Sequence, residues 1–293
     1  MTHQPPNTHR HHLDPSHARS WLLVPADKPE RFTEAFDSAA DAVILDLEDA
    51  VIPPNKGKAR AELVRWAQSG GRTWVRINDA TTEYWHDDLR AIAALDNVEG
   101  VMLAKTETAE QVDATAQRLH PGTRVIALVE TAAGMLSAAS IAQSPATFRL
   151  AFGSGDYRRD TGMDQSPLAM AYPRSHLTAA SRAAGLPGPI DGPTVSFSES
   201  ILEDETRNAA SLGATGRLCM RPEQTSAVNK LLSPTDHDVR WAREVIDALG
   251  EDGEHVNDGS DLPRLARARR ITLLDTLFSA HSVPFDHDRI LEP

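Results

Sequence analysis

From residue 19 onward the chain alternates between short apolar runs and longer amphipathic stretches, and this alternation constrains its fold more than any single residue does. The runs are SWLLVP (20–25), AVILDL (42–47), TWVRIN (73–78), GVMLAK (100–105), RVIALVE (124–130), FRLAFG (148–153) and GRLCM (216–220). They recur at roughly 25–30 residues, the length of one strand–helix unit. The one long gap, 153–216, carries GPIDGP (188–193) at its middle, which predicts a short, poorly formed eighth strand. The runs are apolar on both faces, as parallel strands covered by helices must be. Helices are expected over 28–40, 55–69, 83–95, 108–119, 132–143, 167–185 and 199–212, with Thr108 and Gln111 as an N-terminal capping pair and Gly185 and Gly213 as terminators. Eight repeats predict an α/β fold, a (β/α)8 TIM-like barrel. A doubly wound open sheet is the alternative, without its nucleotide signature: the chain has no GxGxxG after the first run and no GxxxxGK[ST].

The barrel is expected over 19–232. Residues 233–293 form a C-terminal helical extension: a helix over 233–250, a polar linker over 251–261 and a basic helix over 262–280. It reads as an arm packing on a neighbouring subunit, a lid over the site or a plain helix pair. Residues 1–18 hold His3, His9, His11, His12 and His17 and read as a disordered leader, with metal binding by those histidines as the alternative. The leader lacks an apolar core segment, and no run approaches 18 apolar residues, so a cytoplasmic protein without a membrane partner is expected. A net charge of −12 argues against nucleic acid as a partner. The single cysteine, Cys219, has no internal disulfide partner and fits a reducing interior.

In a parallel barrel, chemistry gathers where the strands end at their C-termini. That rule selects Asp46, Glu48 and Asp49 after the second run, Arg76 and Asn78 in the third, Lys105 at the end of the fourth, Glu130 at the end of the fifth and Asp156 after the sixth. Glu130 and Asp156 lie one repeat apart, which predicts two carboxylates at the ends of adjacent strands, about 4.8 Å apart. Such a pair needs a proton or a cation between its members. With no Cys or His nearby, all-oxygen ligation suits Mg²⁺, and a surface salt-bridge network is the competing reading. Ala132, Ala133, Gly134, Gly153 and Gly155 either admit a ligand to the backbone or are ordinary helix-start and turn residues. Arg76, in an otherwise apolar run, is either a bidentate clamp for a substrate carboxylate or an ion pair with Asp46 or Glu48.

These residues sit in motifs that resemble the citrate lyase β-subunit family within the HpcH/HpaI aldolases: SWLLVPADKPERF (20–32), DLEDAV (46–51) with Lys56 and Arg60, VRIN (75–78), LAKTE (103–107), VETAAG (129–134), FGSGDYRRDTG (152–162), PRS (173–175) and GRLCMRPEQ (216–224). The resemblance spans roughly 19–270. It implies a TIM-like barrel, a homotrimer whose C-terminal segments pack on neighbours, and a lyase that cleaves a C–C bond in a 3-hydroxyacyl-CoA ester, with citryl-CoA to acetyl-CoA plus oxaloacetate as the type reaction. It places Mg²⁺ ligands at Glu130 and Asp156, substrate binding at Arg76 and Glu130, and coenzyme A phosphates near Lys28 and Arg31. Asp46, Glu48, Asp49 and Lys105 fall around them as supporting partners. Asp261, in DLP, resembles an acid/base that works from a neighbouring subunit. The chain departs from the family pattern at Ala104, where Pro is usual, and at Arg221, where His is usual. Alternatives within the resemblance are a malyl-CoA or citramalyl-CoA lyase, an aldolase acting on free 2-oxo acids, and an accessory subunit of a citrate lyase complex.

Overall fold

A computed structural model describes residues 13–281. Eight parallel strands close into a barrel in the order β1 (Ser20–Pro25), β2 (Ala42–Asp46), β3 (Thr73–Ile77), β4 (Val98–Leu103), β5 (Arg124–Val129), β6 (Thr147–Phe152), β7 (Ile190–Asp191) and β8 (Gly216–Cys219), with β1 paired to β8. Strand β7 is the weak eighth strand expected from GPIDGP. Pro189 and Pro193 flank it, and proline cannot donate to a ladder, so only Ile190 and Asp191 pair with β6 and β8.

Helices α1 (Phe32–Asp37), α2 (Lys56–Gln68), α3 (Glu83–Ile92), α4 (Ala109–Ala116), α5 (Ala132–Leu136), α6 (Ala138–Gln143), α7 (Ser154–Thr161), α8 (Ala171–Ala183), α9 (Glu199–Ser211) and α10 (Glu223–Leu231) connect the strands and surround them. The Thr108/Gln111 capping box forms, and Gly185 and Gly213 end α8 and α9 at positive φ. The helix expected over 132–143 is two, broken at Ser137. The one expected over 28–40 is a 3-10 turn (Pro29–Arg31) followed by α1. Helices α7 and α10 were not expected: SGDYRRDT buries only Tyr157, too few apolar positions to show a helical period.

Alternating residues divide the strands between two cores. Trp21, Ile44, Trp74, Met102, Ile126, Leu128, Ala151, Ile190 and Leu218 fill the barrel. The intervening residues, among them Leu22, Leu45, Val75, Val101, Ala127 and Leu150, pack outward with the helices. Trp21 meets Trp74 edge-on, with ring centroids 5.1 Å apart. Below them, fully buried Arg149 donates to the carbonyls of Pro15, Ala18 and Gly188 and to Thr215 Oγ1. Residues 15–18 therefore belong to the barrel unit, which spans Pro15–Leu232, and not to the leader in which composition placed them. Residues 1–12, with His3, His9, His11 and His12, and residues 282–293 lie outside the described residues.

A second unit contains α11 (Asp236–Leu249) and α12 (Asp261–His281), joined through Ala242, Val245, Leu249, Leu265 and Ala268. Among the described residues no helix is long and apolar enough to cross a membrane.

Candidate active site

The alternation that points Ile44, Trp74, Leu128 and Ala151 into the barrel points Asp46, Arg76, Glu130 and Gly153 inward one layer higher, at the C-terminal rim. Strand pairing brings these positions together: Asp46 is in register with Arg76, and Val129 with Phe152, so Glu130 leaves β5 beside Gly153. A Cβ on Gly153 would lie 2.1 Å from Glu130 Oε2. The glycine thus makes room for the protein's own carboxylate rather than for a ligand. Asp156 departs from expectation, since it sits in the first turn of α7 and not at a strand end.

Asp46, fully buried, takes Arg76 Nε at 2.8 Å and Nη2 at 2.6 Å, along with the N–H groups of Glu48 and Ala50. Arg76 Nη1 lies 3.3 Å from Glu48 Oε2. The arginine is therefore an ion pair on one edge, and Asp46 and Glu48 with the neighbouring Glu130 raise its pKa against the burial that lowers it. Lys105 reaches the remaining acids. Its ammonium hydrogen-bonds Glu48 and lies 3.5 Å from Asp49 and 3.8 Å from Asp156, while its backbone N–H donates to Glu130 Oε1 at 2.9 Å. Asp156 also meets Arg159 at 3.1 Å.

Negative charge still exceeds positive. Burial, the Glu48 charge and Asp156 push the Glu130 carboxyl up to about 8 against the pull of Arg76 and the Lys105 N–H. Burial likewise raises Glu48, whose Oε2 has no hydrogen-bond partner. Half-exposed Asp49 is lowered despite partial desolvation, by its hydrogen bond with Glu48 and by Lys105 and Arg76. A cation relieves such an excess. Among the described residues no three His, Cys, Asp or Glu side chains converge as a closed cage. Glu130 and Asp156 offer only carboxylate oxygens, and each lies against Lys105, the one through its backbone N–H and the other through its ammonium.

A frame beneath the site joins Lys56, Asn78 and Arg60, all within the motifs read from sequence, to Asp88, which the sequence did not single out. Lys56 Nζ, buried, donates to the carbonyls of Leu47 and Glu48 and to Asn78 Oδ1. Asn78 in turn donates to Asp88, which also binds Arg60. These bonds hold the loop after β2 and so aim Glu48. Asp88 gave no sequence signal, because a buried carboxylate on an amphipathic helix reads as a surface one.

Other expected residues lie elsewhere. Lys28, exposed, and Arg31, half-buried, follow β1 on the same rim. Asp261 is the first residue of α12 in the second unit, where it accepts from the Asn257 N–H and from Arg264. The departures have local reasons. Ala104 donates its N–H to Ile77, a bond proline forgoes. Arg221 packs 4.0 Å from the Phe197 ring and donates to the carbonyls of Val195 and Ser196, bracing the loop after β7. Cys219 is buried in β8, and burial pushes its thiol up to about 12.

The HpcH/HpaI aldolase/citrate lyase family matches residues 19–222, and the HpcH/HpaI aldolase C-terminal domain matches 237–279. A citrate lyase subunit beta-like protein of Mycobacterium tuberculosis is 37% identical over 259 residues, covering 85% of this chain and 92% of that one. A (3S)-malyl-CoA thioesterase of Cereibacter sphaeroides is 32% identical over 277 residues, 90% and 95% of the two chains. The crystal structure of CitE from M. tuberculosis in complex with magnesium, acetoacetate and coenzyme A superposes with a TM-score of 0.75 at 33% identity, over 89% of this chain and 99% of that one. With a closed eight-stranded barrel, acids gathered at its C-terminal rim and a family match over most of its length, this chain belongs to the HpcH/HpaI aldolase/citrate lyase family.

Proposed function

We propose that this protein is a Mg²⁺-dependent C–C lyase acting on a 3-hydroxyacyl-CoA that bears a second carboxylate, of the citryl-CoA to acetyl-CoA plus oxaloacetate type. The observation that carries the reading is buried Glu130 at the barrel rim, its carboxyl raised by burial, Glu48 and partly exposed Asp156 against the pull of Arg76. Glu130 and Asp156 would hold the ion, which when bound supplies Lewis acidity to the oxygens of the 2-oxo-acid half. Arg76, pinned by Asp46, would neutralise oxyanion charge on the 2-oxo-acid half. The hydroxyl would give up its proton as it becomes the keto oxygen, the C–C bond pair would pass to the thioester's α-carbon, and that carbon would take one proton back, delivered by an ordered water or by Asp261 of a neighbouring subunit. Lys28 and Arg31 are assigned to the coenzyme A phosphates. A homotrimer in the cytoplasm completes the reading.

The malyl-CoA thioesterase among the relatives favours malyl-CoA as a second substrate reading. One experiment addresses both. Citryl-, citramalyl- and malyl-CoA are incubated with the protein in Mg²⁺ or EDTA, and 2-oxo acid and free thiol are followed separately. Mg²⁺-dependent oxaloacetate, pyruvate or glyoxylate release that is lost in Glu130→Ala supports the lyase. Thiol without 2-oxo acid supports hydrolysis, and silence on every thioester refutes both.

A further inference from the structure

Lys105 is the one described non-glycine residue with positive φ, at +47°, a conformation that costs a side-chain-bearing residue steric strain. Three successive N–H groups account for it: Ala104 donates to Ile77, Lys105 to Glu130 Oε1 and Thr106 to Leu128. That turn aims the backbone at one carboxylate and the ammonium at three others, Glu48, Asp49 and Asp156. A single residue thus meets all four acids of the rim other than Asp46, of which Glu48 is shared with Arg76. Arg159 contributes less, being an exposed partner of Asp156 on its own helix.

We propose that the Lys105 ammonium is a built-in counter-cation that competes with a divalent ion for this carboxylate cluster, holding the metal-free site together and keeping the affinity for the ion below what the acids alone would give. The inference rests on the reading of Glu130 and Asp156 as the cation site. Its logic is Coulombic: a positive charge within about 4 Å of an acid the ion must share repels that ion, and the partial burial of both groups limits screening by solvent.

The variants separate charge from backbone. Asn tolerates the left-handed conformation and removes the charge in Lys105→Asn; Lys105→Gln is the second neutral variant, and Lys105→Arg keeps the charge. Mg²⁺ affinity is measured calorimetrically, and melting is followed in EDTA and in Mg²⁺. We expect at least one folded neutral variant to bind Mg²⁺ about tenfold more tightly than the wild type, with a lower melting temperature in EDTA and a larger Mg²⁺-induced rise, while Lys105→Arg stays near the wild type. A merely structural lysine would weaken binding on removal. Equal or weaker binding by the neutral variants, with wild-type binding intact, overturns the inference and leaves the metal reading standing. No Mg²⁺ binding by any form overturns both.

Discussion

Metal-free protein should lose stability as pH rises, because Glu130 keeps its proton more tightly folded than unfolded. Its carboxyl titrates near 8 in the fold against 4.5 when free. Between those values the folded state binds more protons than the unfolded one, so stability falls with increasing pH. The contribution is fully present below 4.5 and gone above about 8. The difference corresponds to about 5 kcal/mol from this group alone, or about 10–20 °C in melting temperature for a barrel of this size. Glu48, raised in the same direction, adds to the trend. The assay is thermal melting in EDTA from pH 4 to 9, comparing the wild type with Glu130→Gln, an isosteric mimic of the protonated side chain. The two should melt alike near pH 4, and the variant should be the more stable by about 10 °C or more at pH 9. Saturating Mg²⁺ should restore the wild type at high pH and leave the variant largely unaffected. A melting difference that does not change with pH would refute the reasoning, since it would mean that Glu130 ionises in the fold as it does in water.

Two substitutions probe the frame. Asp46→Ala leaves buried Arg76 with Glu48 as its remaining anchor and should cost about 3–5 kcal/mol, read by denaturant unfolding; a loss under 1 kcal/mol would mean that the pair is not desolvated as drawn. Gly153→Ala places a Cβ against Glu130 Oε2, so the carboxylate must move, and Mg²⁺ affinity by calorimetry should fall at least about tenfold while the melting temperature drops by only a few degrees. Unchanged affinity would show that Glu130 needs no fixed position.

The barrel and the rim were legible because both follow from period and position. Two-faced apolar runs recurring at the length of one strand–helix unit leave few architectures, and period-two alternation places Asp46, Arg76 and Glu130 on the same inner layer as surely as it places Ile44, Trp74 and Leu128. Polar elements escaped that logic. Helix α7 carries Asp156 to the site, yet its sequence has almost no apolar face to reveal it.

What the sequence by itself determined was therefore the repeat, the parallel α/β class and the set of charged residues at the strand ends, since these depend on the order of apolar and polar side chains along the chain. Only the tertiary structure decided which charges meet. Arg76 is committed to Asp46 by the β2–β3 register, and Gly153 yields its side-chain space to Glu130 across the β5–β6 pair. Lys105 turns left-handed because β3, the Glu130 carboxylate and β5 claim successive N–H groups, and that turn brings one ammonium to acids 57 and 51 residues distant in sequence. Pairings of this kind depend on distance in space and on the water excluded around them, and neither quantity is written in the order of residues.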